Sequence, residues 1–173
     1  HRFAEISPAV SHAIHMPTHI FIQHGMWDYV SGNNQRAYDA ARDLWNPNEP
    51  MGDAVHALDW GQYGDLQLGD YEKAKHWIKR IESMAEGKFL ESDVSDSGGQ
   101  ARVMGAVSLL KSRYIIETEE WDIPANVSSE LSANDLLAAA LSAYHLRDES
   151  ALKAANDALE EKGNGGRNGI MSK

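Results

Sequence analysis

The chain has no cysteine in its 173 residues. That removes disulfides and thiol chemistry, and it leaves the compartment open with the cytoplasm as the default, because cysteine-free proteins occur on both sides of a membrane. Long apolar runs are missing too. The most apolar window, Leu136 to Leu141, falls far short of the roughly 18 residues that a membrane-spanning helix needs. Cations are in the minority, with 16 Lys+Arg against 26 Asp+Glu. A net charge of -10 argues against nucleic acid and anionic lipid as partners, since both require clustered excess cation. There is no Gly-rich phosphate loop, no Gly-x-Ser-x-Gly elbow and no His-Glu-x-x-His pair, so the common nucleotide, acyl-transfer and metalloprotease chemistries lack their parts.

Strand-like alternation is absent as well, and what remains is helical. Apolar residues recur at i, i+3, i+4 and i+7, the spacing that lines one side of a 3.6-residue helix. Val103, Ala106, Val107, Leu110 and Tyr114 form one stripe. Leu137, Ala140, Leu141 and Tyr144 form a second, and Ala151, Ala154, Ala155, Ala158 and Leu159 a third. Ser97 and Ser132 begin capping-box patterns, and Asp53, Asp70 and Asp148 stand where an N-cap carboxylate would meet the positive end of a helix. Loops are expected at Asn46 to Gly52, Glu91 to Gly99 and Asp122 to Ser132, where proline, glycine or charge interrupts the pattern.

These signals predict an all-α chain with a helical domain over residues 1–161. From Lys162 to Lys173 a Gly-rich tail has too little to bury and is expected to be mobile. Arg2 to Ser7 reads as the end of a helix, so the chain is expected to be a piece of a longer protein.

Two stretches repeat one another. His19 to Val30 and Tyr63 to Ala74 each place a helix end at Gly, a position suited to left-handed backbone, with an aromatic two residues later opening the next helix. Each is a predicted helical hairpin, with weaker echoes at Glu119-Glu120-Trp121 and Leu146-Arg147-Asp148-Glu149. The segment Leu66-Gln67-Leu68-Gly69-Asp70-Tyr71-Glu72-Lys73-Ala74 resembles the turn of a tetratricopeptide repeat, although Gly25 and Gly69 are farther apart than that family's period of about 34 residues. A narrower resemblance, carried by His15-Met16-Pro17-Thr18-His19-Ile20, Gly25, Trp27 and His56-Ala57-Leu58-Asp59-Trp60, is to a group of bacterial tetratricopeptide-like proteins with no established activity. The resemblance implies an α-solenoid of about three to four antiparallel hairpins whose concave face binds a peptide, a protein or a small ligand. Self-association through the uncovered end of such a stack, at residues 1 to about 15, is a further expectation.

One constellation has the composition for chemistry. His12, His15, His19 and His24 fall close together, and on a continuous helix His12, His15 and His19 would share a stripe. His15 and His19 then form the i, i+4 pair that suits zinc, and His56 and Asp59 could face them from the next hairpin. Pro17 disturbs this geometry, because it removes a hydrogen bond and disfavours helical backbone at Met16. The plainer reading, ranked first, is that these imidazoles cap carbonyls around Pro17 and pack on Trp27 or Trp60.

The residues expected to line the concave face are His12, His15, His19, His56, Asp59, Arg102 and Arg113. The scaffold reading needs no cofactor and no catalytic residue. Its rival, a metal-dependent or ligand-transforming enzyme, places zinc or another divalent metal at His15, His19 and His56.

Overall fold

In the computed structural model, residues 5–44, 52–88 and 97–164 are described. Among them every regular element is a helix and there is no strand. The helices are α1 (Ser11–His15), α2 (Thr18–Gln23), α3 (Trp27–Asp43), α4 (Gly52–Gln67), α5 (Tyr71–Ser83), α6 (Ser97–Thr118), α7 (Ala133–Leu146) and α8 (Glu149–Asn164). A π-helical turn, Met84–Lys88, continues α5. No helix among the described residues is long and apolar enough to cross a membrane.

The turns follow from local chemistry. Gly25 and Gly69 have φ of 65° and 73°, and each precedes by two residues a helix that starts on an aromatic, Trp27 or Tyr71. A side chain at such φ is strained, so glycine is the residue that ends these helices without cost. Arg147 makes the equivalent left-handed turn between α7 and α8 at φ 59°, and Glu119 does so after α6 at φ 58°. No helix follows Glu119 until Ala133.

The caps at Asp70, Ser132 and Asp148 form as their spacing predicts, accepting from the amides of Lys73, Asp135 and Ala151. Asp53 differs. Helix α4 already begins at Gly52, so Asp53 sits in its first turn, where its charge still favours the helix dipole. Ser97 to Gly99 is helical rather than loop, being the start of α6. The tail expected from Lys162 begins later, because α8 runs on through Lys162 to Asn164, while Trp45, residues 1–4, 45–51 and 89–96, and the rest of the expected tail lie outside the described residues.

The chain divides into two compact units, His1–Leu110 and Lys111–Lys173. In the first, α4 packs against both α3 and α5, and α1 packs on α3 and α4. Its core joins Ile14, Ala37, Tyr38, Val55, Leu58, Trp77, Ile81 and Met84 to Val103, Ala106 and Leu110 of α6. Two glycines of α4 make this packing close. A methyl group on Gly61 would lie 2.6 Å from the Trp77 ring, and one on Gly64 would lie 2.9 Å from the backbone nitrogen of Ser31.

The three helices are also tied by a buried carboxylate. Asp65 on α4 is fully buried. It accepts from the Ser31 hydroxyl of α3, from the Trp77 indole N–H at 2.6 Å and from the Lys73 ammonium at 3.0 Å, both on α5. A buried charge with three donors is compensated where it stands.

In the second unit α7 pairs with α8, and Ala139, Ala140 and Ala155 form the contact with Val127 and Leu152 around them. The predicted stripe on α7 is out of register. Ala140 of that stripe is buried and Leu141 half-buried, but Leu137 is 49 % and Tyr144 66 % exposed, while Leu136, Ala139 and Ala143 are buried in their place. Helix α7 is apolar around most of its circumference, so several faces satisfy the i, i+3, i+4, i+7 spacing, and alanines allow the closest approach to α8.

Candidate metal centre

Proline at position 17 divides the first helical stretch, yet it does not turn the chain aside. Met16 keeps φ −51° and ψ −38°, and Pro17 keeps φ −61° and ψ −20°, both right-handed helical. The ladder loses the hydrogen bond that Pro17 cannot donate while the path of the backbone stays helical. The His15 carbonyl at this break accepts from the Thr18 hydroxyl at 2.7 Å. That carbonyl is therefore capped by a threonine hydroxyl and not by an imidazole.

His15 and His19 consequently meet as an i, i+4 pair, with their Nε2 atoms 3.0 Å apart. Helix α4 brings His56 to the same place. The ring centroids of His15 and His56 are 4.4 Å apart and those of His15 and His19 are 4.8 Å apart. One nitrogen from each of the three rings lies within 4.8 Å of the others. His15 is buried, whereas His19 and His56 are partly exposed.

The orientation of His15 is set from behind by Asn34 of α3, a residue with no exposed surface. The Asn34 amide nitrogen donates to the Val30 carbonyl at 2.8 Å, which turns its oxygen toward His15. His15 Nδ1 lies 2.7 Å from that oxygen and must donate to it. Its Nε2 then carries the lone pair and faces His19. Fixing the tautomer of an imidazole through its outer nitrogen is how proteins orient histidine ligands.

Protonation is disfavoured at His15 and His56. Burial, together with His56, His19 and His12, outweighs the Asn34 hydrogen bond and lowers His15 from 6.5 to about 4. Burial also lowers His56, helped by His19, Arg102 and His12 and opposed by Asp59. Neutral imidazole is the form that binds metal. Trp60 walls one side, with its ring 5.4 Å from His19 and 6.4 Å from both His15 and His56.

Of the other residues expected at the site, His12 is exposed beside it, with its ring 6.3 Å from that of His15. Asp59 and Arg102 act electrostatically on His56. Arg113 belongs to the second compact unit. Asn34 carries no signal in the sequence, because an asparagine in mid-helix reads as surface and only the packing of α3 on α1 brings it to His15.

A separate concavity of about 550 Å³ runs between α3 and α5, lined by Asp39, Arg42, Asp43, His76 and Lys79 among others. Arg80 on its edge lies over the rings of Trp77 and Tyr38 and donates to Gln35, which commits its charge to the fold. Comparisons with family models, with curated proteins and with solved structures each find no match for this chain.

Proposed function

We propose that this chain is a tetratricopeptide-like helical scaffold whose working centre is a divalent transition-metal site at His15, His19 and His56. The observation that carries the reading is the convergence of three imidazole nitrogens within 4.8 Å. Two tetrahedral ligands bound at about 2.0–2.1 Å stand about 3.3 Å apart, so small side-chain rotations close this set around one ion. Three neutral nitrogen donors suit zinc, cobalt, nickel or copper and do not suit magnesium or calcium, which take oxygen. The ion would supply Lewis acidity and hold a ligand, while the chain supplies the fixed His15 tautomer and the Trp60 wall.

The tetratricopeptide-like part of the proposal is supported by the paired turns at Gly25 and Gly69 and by α4 packing on both α3 and α5. Stacking of further hairpins in a row, with ligands taken on the concave face, extends the same reading.

The test is metal analysis of untagged protein equilibrated with zinc and then freed of excess. One equivalent should stay with the unmutated chain through this removal and be stripped from His19→Ala and His56→Ala, whose two remaining imidazoles hold zinc only while it is left in solution, with helicity unchanged by circular dichroism. Protein that retains no zinc above a buffer control contradicts the proposal.

A further inference from the structure

We infer that the three-histidine centre is an open one that takes an oxyanion ligand, a carboxylate or a phosphate, anchored at its other end by Arg102. This rests on the metal-binding reading above. The donor count is that of an open site. Among the described residues the cluster has three members, His15, His19 and His56. A structural zinc site closes with four protein ligands, whereas three leave a position for water or an exogenous ligand.

His15 is sealed in the core, but His19 and His56 are partly exposed and His12 beside them is exposed, so the cluster opens toward solvent on the side away from Asn34.

Arg102 lies beside the start of α4. Its guanidinium lies against Gly52, where a methyl group added to the glycine would be 3.2 Å from one of its terminal nitrogens. Gly52 is four residues before His56 on α4, hence one turn away on the same face. The positive charge of Arg102 is felt at His56. A guanidinium fork one helical turn from a metal position matches a carboxylate or phosphate that bridges the two.

Charge supports the same ligand class. The groups that act on His56 are Asp59, His12, His19 and Arg102. A bound dication together with Arg102 would outweigh Asp59 among those groups, on a chain of net charge -10. Trp60 offers that ligand one apolar wall.

The experiment uses the full chain loaded with cobalt(II), whose visible absorption reports its ligands, titrated with acetate and with inorganic phosphate. At least one of the two anions should shift the cobalt bands saturably. Arg102→Gln should weaken that anion about tenfold, the loss expected for one charge-assisted hydrogen bond, without lowering cobalt affinity. Cobalt bands that stay fixed through both titrations overturn the open site while leaving the metal site standing. Equal anion affinity in Arg102→Gln overturns the anchoring role. A chain that binds no cobalt fails the metal reading itself, and the inference with it.

Discussion

His15 Nδ1 donates to the Asn34 side-chain oxygen at 2.7 Å, across nineteen positions of sequence, and this one bond decides which nitrogen of His15 faces His19 and His56. Replacing Asn34 with Leu keeps similar bulk and removes the acceptor. Zinc affinity measured by chelator competition should fall roughly 10- to 100-fold, the usual cost of losing such an outer partner. Unchanged affinity would mean that His15 needs no orientation from α3.

Much of this arrangement is legible in the sequence. The turns at Gly25 and Gly69 follow from glycine's tolerance of left-handed backbone, and the caps at Asp70, Ser132 and Asp148 follow from their spacing. The i, i+4 spacing of His15 and His19 is readable, but that Pro17 breaks a hydrogen bond without diverting the helix between them shows only in the backbone angles. What else cannot be read is tertiary. Asn34 meets His15 only after α3 packs on α1, and the face that α7 buries is set by alanine contacts with α8 rather than by hydrophobic period.

Acid should destabilise the metal-free protein through His15. The unfolded chain binds a proton there near pH 6.5, and the folded chain only near 4. The unfolded state is thus the better proton binder in between. The associated stability is complete above about pH 6.5 and is lost as the pH falls toward 4, by roughly 3 kcal/mol over the whole window. The lowered His56 acts in the same direction. Urea unfolding with a chelator present, at about pH 7 and about pH 4.5, should show this loss, and His15→Gln should show a smaller one. An equal pH dependence in the two proteins would remove His15 as its cause.

Two glycine substitutions should act with opposite signs. Gly64→Ala places a methyl 2.9 Å from the Ser31 backbone nitrogen and must push α3 from α4, costing about 1–3 kcal/mol despite alanine's better helix propensity. Gly32 on α3 is exposed and has nothing within 4 Å of the added carbon, so Gly32→Ala should stabilise by about 0.5–1 kcal/mol. Chemical denaturation midpoints at constant slope check both. A neutral Gly64→Ala would show that the α3–α4 seam has slack.

The metal centre itself is tested most directly by zinc K-edge X-ray absorption on the full chain carrying one equivalent of zinc. The prediction is three imidazole ligands at about 2.0 Å with a further light atom, reduced to two imidazoles in His56→Ala. A coordination shell that is the same in His56→Ala as in the unmutated chain, or zinc bound by oxygen alone, would contradict the account.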